Sequence, residues 1–325
     1  MTDQSVSVTV LHPLLLLLIS SSLPLLVFSD AQICTPHDQR LLQTINKSFD
    51  TQWFDYRCDP TTKRVTQLSI SQATISGGIP PAIGKLSSLE SLNLFVVNNL
   101  TGPIPSFIGK LRNLKQFTIY STNISGPIPA FLSRLTKLEG LHLSNNQLSG
   151  PLPAFLSDLP KLIWINLDNN RFSGSIPHSF GKFNDSLTVL DLSYNQLSGK
   201  IPESLGRFNF QMIYLSNNKL VGDASMLIKA NETVEGGIRI DLSGNLLNFN
   251  LSKVSFHRNL MYLDLSRNRI WGTIPNQITE LSFLDYFNVS YNRLCGKIPF
   301  GGRVQIAGVF DHNQCLCGSP LPECK

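Results

Sequence analysis

Charge is scarce in this sequence. Asp, Glu, Lys and Arg together make up 15% of its 325 residues. No run of Lys or Arg occurs of the kind that follows a phosphate backbone, so nucleic acid is not an expected partner. HExxH, GxSxG, the P-loop and GxGxxG are all missing, which removes the commonest signatures of hydrolysis and nucleotide binding and leaves no cofactor to expect. Cys is absent from the whole stretch between Cys58 and Cys295. After residue 28 no apolar run is long enough to span a bilayer, so a membrane is expected only through a partner. What charge there is leans basic. The 27 Lys and Arg against 22 Asp and Glu give +5, or +7 once Asp3 and Asp30 are discounted with the first 31 residues. Those basic residues are scattered along the chain. Low charge and abundant Leu exclude a disordered chain.

Residues 1–31 contain no Lys or Arg. Their apolar runs Leu14–Ile19 and Leu23–Phe28 are flanked or broken by Pro13 and Pro24 and followed by Ser29-Asp30-Ala31. They read as the hydrophobic part of a secretory signal peptide cleaved near Ala31, with an uncleaved N-terminal anchor as the alternative. The six Cys lie towards the two ends: Cys34 and Cys58, then Cys295, Cys315, Cys317 and Cys324. In a secreted repeat protein this placement predicts disulfide-stapled caps, over residues 32–64 and 300–325. Cys315-Leu316-Cys317 lacks supporting His or Cys at zinc-ligand spacing, so no metal is expected. Seven N-x-S/T sequons, at Asn46, Asn99, Asn123, Asn184, Asn231, Asn250 and Asn288, are candidate glycosylation sites in a chain that passes through the secretory pathway.

Self-similarity decides the fold class. The unit L-x-L-x-x-N-x-L-S-G-x-I-P places a glycine at Gly77, Gly102, Gly126, Gly150, Gly174, Gly199, Gly222, Gly272 and Gly296, and one further unit carries Phe249 instead. That gives ten repeats over residues 65–299. In Leu141-His142-Leu143 the leucines point inward and His142 outward, as strand alternation requires. Asn146 follows, with Asn170, Asn195, Asn218, Asn245, Asn268 and Asn292 at equivalent positions; an inward Asn there satisfies backbone groups where the chain leaves the strand. Gly permits the turn, and Ile-Pro sets an extended segment before a short helical piece. No single repeat buries its own leucines, so stacking must, giving an α/β solenoid with parallel strands on a concave face. Asp38 before Leu41, Leu42, Ile45 and Phe49 predicts a capping helix over 38–49.

One outward residue per strand gives the row Ser69, Asn93, Thr118, His142, Asn166, Asp191, Tyr214, Asp241, Asp264 and Asn288. Phe95, Tyr120, Trp164, Tyr194, Tyr262, Tyr286 and Tyr291 fall on or beside the same face, at a density that suits an interface. The candidate partner-binding residues are His142, Trp164, Asn166, Asp168, Asp191, Tyr194, Tyr214, Asp241, Asp264 and Arg267, with the four acids expected to meet a basic surface. By strand spacing Asp241 and Asp264 resemble a glycosidase carboxylate pair. An open sheet offers no pocket to keep one of them protonated, so they are expected to be solvated surface acids without catalysis.

The L-S-G-x-I-P repeats resemble plant-type extracellular leucine-rich repeats, which form a right-handed superhelix. Val221-Gly222-Asp223-Ala224-Ser225, Phe249–Val254, Asn288-Val289-Ser290-Tyr291-Asn292 and the Cys315–Cys324 tail further resemble the plant polygalacturonase-inhibiting proteins. The resemblance covers about residues 33–325. It implies a secreted cell-wall protein whose concave face binds and inhibits microbial or insect polygalacturonases in plant defence, with the bridges Cys295–Cys315 and Cys317–Cys324. A signalling or scaffold protein that binds a receptor ectodomain, a peptide or a developmental partner is the other reading. Two departures stand out. The N-terminal cap is shorter and keeps only Cys34 and Cys58, which the family pattern assigns to different bridges; either they pair with each other or the cap stays incompletely closed. The family's acidic positions in the outward row hold His142 and Tyr214. Its basic, pectin-docking positions before the later ladder Asn residues hold Tyr194, Asn217, Gly244 and Arg267. Only weak pectin contact is therefore expected.

Overall fold

A computed structural model describes residues 34–183, 187–208, 210–229 and 236–325. The leader read over residues 1–31 and the sequons Asn184 and Asn231 lie outside the described residues. Each repeat supplies one strand, and ten lie side by side in parallel. They are Val65–Gly77, Ser91–Gly102, Gln116–Tyr120, Gly140–His142, Trp164–Asn166, Val189–Asp191, Met212–Tyr214, Ile238–Asp241, Leu260–Asp264 and Tyr286–Asn288. Their inward residues, among them Leu92, Leu141, Ile165, Leu190 and Leu263, are fully buried and form one continuous core along the stack. The helical piece after each of the first nine strands is a single 3-10 turn, such as Pro81–Lys85 or Ala154–Asp158, and after the tenth a short α-helix, Val304–Ala307. The carbonyl of the repeat's Pro accepts the first bond of that turn, as Pro80 does from Ile83 and Pro153 from Leu156.

A second set of parallel pairings, which the repeat pattern did not reveal, runs through the Leu-Ser-Gly segments. It links Ser91–Gly102, Asn123–Gly126, Gln147–Pro151, Arg171–Gly174, Gln196–Lys200, Lys219–Gly222 and Leu246–Leu247. In all of these segments but Leu246–Leu247 a glycine has positive φ, +87° at Gly150, and turns the chain out of the strand without a Cβ penalty. Where Phe249 replaces glycine the ladder shrinks to a single bridge between Asn250 and Trp271. It resumes as a separate sheet of Trp271–Gly272, Arg293–Lys297 and Cys315–Cys317.

The Asn ladder forms as expected. Asn218 Nδ2 donates to the carbonyls of Leu192, Leu215 and Ser216 at 2.9–3.2 Å, and its Oδ1 accepts from the N–H of Leu197 at 2.9 Å. Each Asn thereby ties its own coil to the one before. The ladder also has a rung that the sequence reading missed. Asn313 donates to Val289 and Phe310 and accepts from Leu294. With Gly308–Val309 added beside Tyr286–Asn288, the C-terminal cap is a truncated eleventh coil. Phe310-x-x-Asn313 repeats the Leu-x-x-Asn spacing that was there to find.

At the other end the helix runs over Pro36–Asn46 rather than from Asp38 to Phe49. Thr35 is its N-cap, Pro36 opens the first turn, and Phe49 is buried beyond the last. Asp38 lies inside the first turn, fully buried, and its Oδ2 accepts from Arg64 Nε and from the Val65 N–H, both at 2.9 Å. The edge of the first repeat is also covered by the strand Trp53–Cys58, antiparallel to Val65–Gly77, with Phe54 opposite Ile70 and Tyr56 opposite Leu68. Cys34 pairs with Cys58, Cys295 with Cys315 and Cys317 with Cys324, with Cα–Cα distances of 5.6, 4.3 and 4.9 Å. The shortened cap is closed by its own bridge.

Candidate functional site

The parallel register aligns the ten outward residues, Ser69 through Asn288, in one unbroken row across the concave sheet. The structure thus brings His142, Asn166, Asp191, Tyr214, Asp241 and Asp264 together as expected. Trp164 lies two positions before the row and Asp168 two after it. Tyr194 and Arg267 stand at the flank, where the chain leaves the strand. The face also extends further than the sequence reading placed it. On the capping strand Trp53, Asp55 and Arg57 pair with Ser71, Ser69 and Gln67 and face the same way; their alternation in sequence was the available signal. Arg239 is a second addition, aligned between Met212 and Tyr262.

The acids are not the projecting charges that the sequence led us to expect. Asp191 is 1% exposed and Asp264 8%. Asp191 Oδ1 accepts from the Ser193 N–H, Asp241 Oδ1 from Ser243 and Asp264 Oδ1 from Ser266, at 2.8–2.9 Å. Asn166 and Asn288 do the same for Asp168 and Ser290. These are Asx-type turns, so the row side chains shape the bend at the strand end before they meet any partner. Tyr214, 8% exposed, is also part of the sheet's own packing, and burial pushes its hydroxyl up to about 12.

Asp241 and Asp264 depart from expectation in a second way. Adjacent in register, they are not a solvated pair. Burial pushes the Asp241 carboxyl up to about 6, the neighbouring Asp264 adds to the rise, and hydrogen bonds from Ser243 and Ser216 oppose it. The open sheet desolvates through its neighbours. Tyr262 and Tyr286 stack at 4.6 Å with 9° between their planes, and Asp264 Oδ2 accepts from the Tyr286 hydroxyl and Asn288 Nδ2 at 3.3 Å. Burial raises both tyrosine hydroxyls.

The flank carries a different signal. Tyr194, Asn217, Gly244, Arg267, Tyr291 and His312, one per successive coil, all have φ between +51° and +63°. Asn and Gly suit that backbone, whereas Tyr and Arg occupy it at a cost. Tyr194 is nevertheless 58% exposed. Arg267 lies 4.5 Å over the Tyr291 ring, which stacks on His312 at 4.2 Å.

Leucine-rich repeat family models match residues 137–159, 160–220 and 259–281. Over 311 residues the chain is 51% identical to a polygalacturonase inhibitor of Pyrus communis, covering 91% of this chain and 93% of the relative. It is 48% identical to the inhibitor of Vitis vinifera over 95% of this chain and 98% of that one. The chain belongs to the polygalacturonase inhibitor family. Within the same range, the leucine-rich repeat protein FLOR 1 of Arabidopsis thaliana is 48% identical over 90% of the chain. Among solved structures a plant ice-binding protein matches with a TM-score of 0.84 and 39% identity, over 90% of this chain and 99% of that one. The peptide hormone receptor RGFR1 in complex with RGF2 matches with a TM-score of 0.63 and 28% identity, over 75% and 43%. In this member of the inhibitor family the two departures in the outward row have structural consequences. His142 joins a series of aromatic rings, and Tyr214 is packed between Asp191 and Asp241 in the register.

Proposed function

We propose that this protein is a secreted inhibitor that covers the cleft of a polygalacturonase with the central and C-terminal part of its concave face. It acts by binding, not by catalysis. The observation that carries the reading is about half identity to named polygalacturonase inhibitors over nine-tenths or more of the chain. The exposed or half-exposed side chains Tyr194, Tyr262, Tyr286 and Arg267 are the contact residues. Asp191, Asp241 and Asp264 set the backbone beneath them. The apolar leader, the three bridges and the sequons support an extracellular, cell-wall location; no helix among the described residues is long and apolar enough to cross a membrane. With Arg267 the only basic residue among the four docking positions, contact with pectin itself is weak and salt-sensitive.

Inhibition assays against a panel of polygalacturonases test the reading. Tyr262→Ala should weaken inhibition by about 1–3 kcal/mol, the cost of an interface anchor. Asp158→Lys, in a 3-10 turn away from the concave strands, should change little. Failure to inhibit any enzyme of the panel, or equal effects of the two substitutions, contradicts it. The altered row positions His142 and Tyr214, a relative named only as a leucine-rich repeat protein and the likeness to the peptide hormone receptor RGFR1 favour a second reading, a scaffold that engages a receptor ectodomain or peptide. Capture of such a partner by a protein that inhibits no polygalacturonase would select it.

A further inference from the structure

We propose that the N-terminal half of the concave sheet binds an uncharged polysaccharide chain, on a surface separate from the one assigned to polygalacturonase. Four rings make a continuous diagonal line across consecutive coils. Phe95 meets Tyr120 at 6.5 Å between centroids, Tyr120 meets His142 at 5.4 Å, and His142 meets Trp164 at 6.0 Å. The line crosses the sheet because Phe95 and Tyr120 stand two positions after the outward row, His142 stands in it, and Trp164 two positions before. All four are half-buried, so each ring is held by its neighbours and still presents surface.

Gly140 makes room for the last ring. A Cβ there would fall on the Trp164 indole and on the Gln116 side chain. Every other member of that register column between Gln67 and Tyr286 has a side chain. The indole therefore lies across the adjacent coil, close to the amide of Gln116.

The surroundings decide the ligand class. From Gln67 to Asn166 the outward positions of the five repeat strands hold amides, hydroxyls, rings and one glycine, with no Asp, Glu, Lys or Arg; the charges nearest them on the same face are Asp55 and Arg57 on the capping strand and Asp168 just past the strand of Trp164. Glu90 and Lys115 lie just outside these positions and pair with each other at 2.8 Å. A sugar ring has an apolar C–H face and an edge of hydroxyls. Aromatic faces take the first, while Asn93, Gln116 and Asn166 can donate and accept for the second. A line of rings along a shallow sheet fits a chain better than a compact protein knob, which favours a clustered central anchor. With no charged side chain among the four rings and their strand neighbours, and charges of both signs only at the borders, the surface disfavours an anionic polymer and leaves binding little affected by salt. This inference rests on the ring line and its neutral setting, and stands whether or not the protein inhibits a polygalacturonase.

Affinity electrophoresis of the full-length protein in gels containing hydroxyethylcellulose, an uncharged β-glucan, tests it, with polygalacturonate gels in parallel. The wild type should be retarded by the neutral glucan, equally at low and at physiological ionic strength. Trp164→Ala and Tyr120→Ala should each lower the affinity about tenfold, the loss of one stacking platform, while Trp164→Phe keeps most of it. Tyr262→Ala, on the other half of the face, should leave retardation unchanged, and thermal unfolding should confirm that each variant is folded. No retardation of the wild type, retardation abolished by salt, or retardation that survives both alanine substitutions overturns the proposal. Loss of polygalacturonase inhibition in Trp164→Ala without any glucan retardation would assign the rings to a protein partner and overturn it as well.

Discussion

The carboxylate of Asp38 accepts a hydrogen bond from the backbone N–H of Val65 at 2.9 Å, and so fastens the capping helix to the first strand of the solenoid. The same oxygen accepts from Arg64 Nε. One buried group thus joins the helix to the point where the repeats begin, and the Cys34–Cys58 bridge closes the loop around it.

Removing this fastening should loosen the N-terminal end. Asp38→Ala leaves the Val65 N–H buried without its acceptor and should destabilise the cap by about 2–4 kcal/mol. Hydrogen exchange should show the first two repeats losing protection before the rest. Uniform loss along the chain would mean that the cap and the repeats open as one unit.

The bridge should matter at the same place. Cys34 and Cys58 are 24 residues apart, a loop whose closure is worth about 3 kcal/mol in chain-entropy terms. Cys58→Ser should fray the first two repeats, and non-reducing peptide mapping of the wild type should recover Cys34 and Cys58 in one linked pair.

A ladder residue should be costly anywhere along the stack. Asn218→Ala strands the Leu197 N–H and withdraws donors from three carbonyls, a loss of about 2–4 kcal/mol. Chemical denaturation measures it directly. The Tyr194 position, just before the ladder residue Asn195, should behave in the opposite way. Its φ of +51° suits glycine, so Tyr194→Gly should keep or raise stability by up to about 1 kcal/mol while weakening inhibition.

Asp241 should give the fold a pH dependence. Its carboxyl is pushed up to about 6, above the ordinary carboxylate value, so the folded state holds the proton more tightly than the unfolded chain does. The corresponding stabilisation is complete below the ordinary value and is lost as pH rises through about 6. Asp241→Asn keeps an uncharged acceptor for Ser243 and should remove that loss, adding about 1–3 kcal/mol above pH 6 relative to the wild type. Parallel stability–pH curves for the two proteins would rule out this role.

Sequence alone determined the repeat, its ten strands, the ladder Asn residues and the order of the outward row, because strand alternation and a recurring spacing translate directly into which side chain faces which way. The same periodicity missed the eleventh coil at Asn313, where Gly308 and Cys315 stand at two of the usual Leu positions and Cys317 at the glycine position. Tertiary structure decided the rest. Whether Asp191 and Asp264 project or lie buried depends on how neighbouring coils crowd them and on turns that claim their oxygens. Gly140 matters only because the indole from the next coil lies over it. The pairing of Leu-Ser-Gly segments depends on the stacking distance between coils, and the Phe249 position interrupts it because the left-handed turn of glycine is missing there. Exposure and contact are properties of the packed stack, and no single repeat contains them.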